Sequence, residues 1–531
     1  MQDVFDYIVV GGGSAGCVLA ARLVEAGAHV ALIERGRRDS NRWIHIPATL
    51  FKVLQSRDSD TVISEPDASL DGLQFPVPQG RVLGGGSSVN GMIYMRGQAQ
   101  DYDDWASTHG CTGWAYDDVL PVYRAQERNM RLDDAFHGTQ GPLVVADPET
   151  PHPICQRIVD AGLSAGLPAN DDFNGARQEG VGWYQATAHG GQRQSAAHCF
   201  LRPVLRAENL TLLASHSVAR IRIENRRATG VDAITDDGRQ KRLTARKEVI
   251  LAAGSFHSPK LLMLSGIGPG DELQRHGIPV LHDAPEVGAN YQDHVGVPVT
   301  CRLKHPDGLY GHDRGLKAVR HGIDYWVLRR GLLASNLLQS GACADTDGDG
   351  RPEVQYNFAP FAPGAPGEPP LPFHAIQVHP MTMRPKSRGR LGLQSTDPAD
   401  PPRFEAAALA HPEDLDTLRR GVRLARDICA QPELRDILAE EIWPGPDLSS
   451  AIGSNTLDDA IRKHARTIFH PAGTCRMGPD AGAVVDLDLR VNGVENLRVA
   501  DCSIMPALVS GNTNAPAMMI GGKAADAILR A

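Results

Sequence analysis

The stretch "DYIVVGGGSAGCVLAARLVEAGAHVALIE", residues 6–34, decides the fold. An apolar run enters a glycine-broken turn, an apolar-periodic segment follows, and a second apolar run closes on Glu34. That order predicts strand, tight turn, helix and strand, with Gly27 placed as the helix C-cap. Both strands are apolar throughout, as in a parallel sheet covered on two faces. The spacing Gly11-x-Gly13-x-x-Gly16 falls between the first strand and the helix. The first glycine permits the turn, the second lets a pyrophosphate approach the backbone, and the third lets helix and strand pack closely. At the helix start, the N–H groups of Ser14 and Ala15 favour a phosphate. Glu34, followed by Arg35, is placed to accept hydrogen bonds from an adenosine ribose, and its charge disfavours a 2′-phosphate. The context predicts a dinucleotide site rather than a merely structural turn.

At 531 residues the chain is too long for one simple core, so two domains are expected, with a third open. Hydrophobic residues at 42% and charged residues at 22% are ordinary for a soluble globular protein. Aromatics at 5% give no support to a carbohydrate-binding or membrane-girdle surface. The net charge is -9 and no long basic run exists, which argues against nucleic acid as partner. "RIRIENRR" at 220–227 alternates with apolar residues and reads as the wet face of a strand. Nine scattered cysteines without a CxxC suggest reduced thiols in a cytoplasmic compartment. The N-terminus enters a strand with no cationic leader, and no apolar run is long enough to predict a membrane-spanning helix. Peripheral membrane contact stays open.

Further clusters follow. "GRVLGGGSSVNGMIYMRG" at 80–97 offers Gly84, Gly85, Gly86, Ser87, Ser88 and Asn90 to a ligand as backbone donors and small hydroxyls. A second glycine loop suits a long cofactor gripped at several places, and the apolar "MIYM" beside it wants burial. "GSFHSPKLLMLSGIGP" at 254–269 follows an apolar strand; Ser258 is a good N-cap and Pro259 sits at the favoured first helical position. Between them, 209–254 reads as short strands with a hairpin turn at "DDGR" (236–239), while 101–200 is mixed with two helical pieces. Segment 359–372 is too rich in Pro and Gly for helix or strand and reads as a loop, and 411–438 is helical. "DTDGDGRPE" at 345–353 imitates the start of a calcium loop, but its twelfth position is Tyr356 instead of Glu. It reads as a polar turn, and no metal is expected.

Near the end stand "FHPAGTCRMG" at 469–478 and "SGNTNAPAMMIG" at 510–521. These, with the clusters at 80–97 and 254–269 and "GQRQSAAHCFLRP" at 191–203, resemble the glucose–methanol–choline (GMC) oxidoreductase family over about residues 5–528. The likeness is strongest to its bacterial alcohol and choline dehydrogenase-like branch. The resemblance implies an α/β, Rossmann-like FAD domain that is discontinuous (1–110, 195–300 and 460–531). It also implies an α+β substrate domain (111–194 and 301–459) with an antiparallel or mixed sheet and flanking helices. Where some members carry a histidine bonded to the flavin this chain has Val89, so the FAD is expected to be noncovalent. By the same resemblance Asn90, Gly91, Met92, Asn512 and Thr513 lie near the cofactor. Val218 and Ala253 belong to its adenine side, and Asp501 to its pyrophosphate side.

The catalytic histidine of the family maps to His470, and its partner, His or Asn, to Asn514, 44 positions later. Asn512 is the nearest rival for that role. The chemistry also follows from the side chains. Hydride leaves a carbinol carbon readily only if its oxygen gives up a proton, and histidine, with a pKa of ~6.5, suits that task at neutral pH. An asparagine amide holds the oxygen and orients the C–H bond toward flavin N5. Tyr356, Phe358, Phe361 and Trp443, with the rigid "IWPGP" at 442–446, are candidates for an apolar substrate wall. A choline cation needs an aromatic cage with a carboxylate, for which Glu441 is the one neighbour of Trp443. The expectation is therefore oxidation of a primary alcohol to the aldehyde, with a choline-type enzyme or a hydroxynitrile lyase-like enzyme as alternatives. O2, a quinone or another acceptor would reoxidise the flavin, in a monomer or homodimer.

Overall fold

The computed structural model describes residues 3–364, 370–445 and 455–530. The opening motif folds as strand β1 (Val4–Val10), helix α1 (Ser14–Glu25) and strand β2 (Val30–Glu34). Every residue of β2 is buried, which is why it carries no polar alternation. Helix α1 ends at Ala26, and Gly27 follows with φ +86°. The Gly27 N–H donates to Val24 O and the Ala28 N–H to Leu23 O, the paired bonds of a Schellman turn that glycine enters without a Cβ clash.

Strand β1 lies parallel to β2, with Ile8 opposite Ala31, and to β3 (Gln240–Leu251), with Ile8 opposite Val249. Leu210–Ala214 extends the parallel set beside β2, and Leu497–Val499 pairs parallel with β3. The first half of β3 instead joins the antiparallel strands Arg227–Thr235 and His216–Glu224, completing a seven-stranded mixed sheet.

Helix α2 (Gly254–Leu264) leaves the end of β3. Its start corrects the expectation at Ser258 and Pro259, which fall inside the helix and do not begin it. The Gly254 N–H is capped from a distance by the Asp501 carboxylate (2.9 Å), to which the Ser258 hydroxyl also donates (2.6 Å). Pro259 has no N–H for the carbonyl four residues back, and that carbonyl, Ser255 O, accepts the Thr474 hydroxyl at 2.6 Å. A helix-breaking signal in the sequence is thus a docking point for the 470–478 turn.

A second, eight-stranded sheet is antiparallel and carries β4 (Val354–Ala359) and β5 (Ala375–Thr382) at its centre. Short strands Val295–Gly296 and Arg466–Thr467 attach to it at β5. Helix α3 (Gly315–Leu328) stands at the surface, and α4 (Pro412–Cys429) covers one face of the sheet. The last helix, α5 (Asn514–Arg530), packs against α1 so closely that a Cβ on Gly521 would lie 2.4 Å from Ala15 O. Arg22 and Asp526 pair across the same contact at 2.8 Å. The loop expected at 359–372 begins one residue late, since Ala359 still belongs to β4, and is irregular in its other described residues; 365–369, and Pro446 at the end of the 442–446 stretch, lie outside the described residues. Among the described residues, no helix is long and apolar enough to cross a membrane.

Candidate active site

One cavity of about 1180 Å³ is lined from both sheets. Small-molecule sites usually occupy ~300–1,000 Å³, so this one is large enough for a dinucleotide with room beyond it. Gly11 turns with φ +106°, and a Cβ there would meet Ala252 O at 2.3 Å; a Cβ on Gly16 would meet Gly11 O at 1.9 Å. Gly13 differs. Its nearest neighbour in that direction is 4.0 Å away, so a side chain there would stand in the cavity, in the space a pyrophosphate needs. Helix α1 has no side-chain cap, which leaves its first N–H groups for an anion. The second glycine loop is stitched onto the first: Gly84 N–H donates to Gly12 O at 2.7 Å, and Gly85 rests against Gly13. Glu34 accepts from Gly12 N–H (2.8 Å) and Gly36 N–H (2.6 Å). Burial raises its pKa above the ordinary carboxylate value, while these two donors and then Arg35 and Arg81 oppose that rise. These features fit a dinucleotide.

Ser14, Ala15, Glu34, Arg35, Gly85, Asn90, Gly91, Met92, Val218, Ala253, Asp501, Asn512 and Thr513 all line this cavity with Gly11 and Gly13. Gly16 and Gly84 lie behind the lining and pack the turn. Ser87 is a correction: its hydroxyl points into the protein, donating to Gly84 O at 2.6 Å and accepting from Ala196 N–H at 2.9 Å. Ser88 likewise donates to Leu83 O. Burying a four-residue helical turn leaves carbonyls that need donors, and the serines supply them. Arg193 completes that support from 191–203, with Nη1 2.7 Å from both the carbonyl and the Oδ1 of Asn90.

His470 is 7% exposed and stands in a turn that Asp293 holds. The Asp293 carboxylate accepts from His470 N–H at 2.8 Å, from the Tyr291 hydroxyl at 3.3 Å and from the Thr467 hydroxyl. Burial pushes Asp293 up to about 7, although its donors, Thr467 first, favour the charged form. The next residue, His294, is fully buried. Its Nε2 is 3.0 Å from Met383 O; a carbonyl only accepts, so Nε2 carries the hydrogen. Burial holds His294 down at about 4, so the ring is neutral and its Nδ1 bears only a lone pair. That Nδ1 lies 2.8 Å from Nδ1 of His470, which must donate. The Nε2 of His470 is therefore left as a lone pair, accepting from Asn512 Nδ2 at 3.1 Å. Burial, and secondarily His294, lowers the pKa of His470 well below its ordinary value.

Asn514 was expected in that place, and the structure puts it elsewhere. It begins α5, and its Oδ1 accepts the Ser14 hydroxyl at 2.8 Å, where the starts of α1 and α5 meet. Asn512 lies two residues earlier, before the helix, and Gln355 Nε2 donates to its Oδ1 at 3.3 Å. Both asparagines line the cavity, but the imidazole meets Asn512.

The substrate wall also needs correction. Tyr356 and Phe358 face away from the cavity, and the Tyr356 hydroxyl donates to Gly421 O in α4 at 3.1 Å. Side chains alternate across a strand, so Asn357 and Ala359 take the cavity face, opposite His379 and Gln377 of β5. Asn357 Oδ1 and His379 Nε2 are buried without a partner among the described residues. Burial, then Arg466, holds His379 neutral, down at about 3. Phe361 and Trp443 do line the cavity. Glu441 does not; it is paired with Arg426 at 2.8 Å. Among the described lining residues the acids are Glu34 and Asp501, both beside the glycine turn and the start of α2.

Gln292, Asp293 and His294 were missed in the sequence. Gln292 pairs through its peptide with Ala472 and accepts Leu508 N–H on Oε1, so the tripeptide ties together the turns bearing His470 and Asn512. The available signal was "NYQDH" standing directly before apolar "VGVPV": polar groups placed inside must find partners. The calcium-like loop closes on itself, with Asp345 accepting from Gly348 and Gly350 N–H and Arg420 reaching Asp347 and Glu353.

Profiles described as GMC oxidoreductase match residues 5–296 and 385–521. The chain is 39% identical to the alcohol dehydrogenase [acceptor] of Pseudomonas putida, over 99% of this chain and 96% of that protein. It is 41% identical to the oxygen-dependent choline dehydrogenase of Rhizobium rhizogenes, over 99% and 95%. The crystal structure of pyridoxine 4-oxidase from Mesorbium loti superposes with a TM-score of 0.89 at 30% identity, covering 99% of each chain.

Proposed function

The chain belongs to the GMC oxidoreductase family and is an FAD-dependent oxidoreductase with alcohol- and choline-oxidising relatives; from that premise we propose that it oxidises a neutral primary alcohol to the aldehyde, with His470 as the base. The observation that carries this is the hydrogen-bond chain Met383–His294–His470–Asn512, which leaves a neutral imidazole with its Nε2 lone pair in the cavity. An alcohol entering there displaces the Asn512 N–H from that lone pair and donates its own O–H to Nε2. The Asn512 amide, released from Nε2, donates to the alcohol oxygen, so negative charge that develops on that oxygen is held while the proton passes to His470. His294 then faces the Nδ1–H of an imidazolium and accepts it, and the buried Asp293 stabilises the turn. FAD, when bound, supplies the acceptor for the two electrons and hydrogen leaving carbon.

The glycine turns, Glu34 and the start of α1 hold that cofactor. Val89 borders the same cavity and offers no nucleophile, which supports a noncovalent FAD. A neutral alcohol is favoured over choline because Glu441 is turned to Arg426 and the described acids of the cavity sit by the glycine turn, leaving a quaternary ammonium without a counter-charge. Asn357, Gln377 and His379 suit a substrate with a polar group beyond the carbinol.

Anaerobic mixing of the yellow holoenzyme with a panel of primary alcohols and choline tests this. Neutral alcohols should bleach the flavin band near ~450 nm; bleaching by choline alone would overturn the substrate class, and no bleaching by any member would favour the lyase chemistry.

A further inference from the structure

Helix α3 is built inside out. A surface helix normally turns its apolar stripe to the body of the protein. Here the side that meets the body carries Tyr325, which is buried and donates to Gly191 O at 2.9 Å, with half-buried Ala318, His321 and Gly322 around it. The opposite, outward side carries Leu316, Val319, Ile323, Trp326 and Val327, at helical spacing, exposed by 88%, 58%, 57%, 52% and 71%. Single exposed apolar residues are common, but five on one face mark a surface that meets something.

The surroundings say what. Residues 310–330 hold five Lys and Arg against two Asp, in a chain whose net charge is -9. Both aspartates are matched locally, Asp313 by Arg314 at 3.4 Å and Asp324 by Arg320 at 3.9 Å. The patch continues onto neighbouring chain. Tyr325 packs with Ile46 and Trp43, and the Trp43 ring carries the exposed Arg42 and Lys52 at 4.8 and 4.5 Å. Beside Lys52, Phe51 is exposed and meets Phe361 edge-on at 5.7 Å, and both phenylalanines line the cavity. Exposed cations and an exposed ring therefore also stand on the chain that packs under α3, close to residues that line the cavity.

We propose that α3 is a membrane-docking helix, seating its outward face in the surface of a bilayer that contains anionic phospholipid. Hydrocarbon takes the five apolar side chains, Trp326 sits at headgroup level, and lipid phosphates meet Arg314, Lys317, Arg320, Arg329 and Arg330. A second copy of the chain fits worse, because a two-fold pairing would set this cationic rim against itself. The inference stands independently of the alcohol assignment.

The test is co-sedimentation of the FAD-loaded protein with vesicles of phosphatidylcholine alone or mixed with phosphatidylglycerol. The wild type should bind the mixed vesicles, release as salt rises, and leave pure phosphatidylcholine largely free. Ile323→Glu with Val327→Glu should weaken binding at least ten-fold, roughly, and Lys317→Gln with Arg320→Gln about 25-fold at low salt, near five-fold per charge. Alcohol-dependent flavin bleaching in solution should be unchanged in both variants. Failure of the wild type to bind mixed vesicles overturns the proposal, as does undiminished binding by the Glu variant. A wild-type dimer that Ile323→Glu converts to monomer, without vesicle binding, would assign the face to self-association instead.

Discussion

The two ends of the cavity are made differently. At the glycine end, β1, α1 and β2 come from one run of about thirty residues, and the second glycine loop joins them by a backbone bond from Gly84 N–H to Gly12 O. At the histidine end, His470, Asn512, His294 and Met383 come from four separate segments, joined by side-chain hydrogen bonds. Local construction tolerates loss of distant partners. Assembled construction makes each member depend on the others, and a wrong tautomer at one ring propagates to the next.

Breaking the glycine end should have the largest and simplest effect. Gly13→Asp puts a carboxylate where the cofactor's phosphates approach, and purification should give largely apo protein with no alcohol-dependent bleaching; a fully yellow preparation would contradict the placement. At the other end, Asn512→Ala should keep FAD and slow flavin reduction by about 10²–10³-fold, the usual effect of removing one donor to a developing oxyanion. Asn514→Ala, which loses a bond to Ser14, should stay within about ten-fold of wild type. If the two asparagines exchange these effects, the assignment of the His470 partner is reversed.

A finer test concerns His294. Leucine in its place removes the acceptor for His470 Nδ1–H, and reduction should slow by about 10²-fold. Asparagine keeps an oxygen near the old Nδ1 and should recover most of that loss. Equal damage by both would mean that His294 only fills space. The smallest expected effect is on pH. His470 is held below its ordinary value by burial, so its neutral form persists as pH falls, and the acid limb of flavin reduction should lie below ~6.5 in the wild type. His294→Asp places a carboxylate beside Nδ1 and should move that limb upward; an unmoved limb would separate His470 from the titration.

The same contrast explains what the sequence disclosed. The βαβ unit, the Gly27 stop and the strands of 209–254 were readable because their causes are a few residues away. Ser258 and Pro259 misled because the true cap, Asp501, is 243 residues from Ser258 in the chain. Tyr356 and Phe358 read as cavity wall because alternation identifies two faces of a strand without saying which one meets α4. Asn512 and Asn514 differ only by where α5 begins, and a turn such as "GNTNAP" does not mark that boundary sharply. The α3 face does not show in the composition, because an average of 5% aromatics over the whole chain hides one patch.

The rate of anaerobic flavin reduction in His470→Ala, at wild-type FAD content, tests the central claim most directly. The account predicts a fall of about 10³-fold or more, since the imidazole is the base that takes the alcohol proton. Reduction by alcohol at wild-type speed would contradict it.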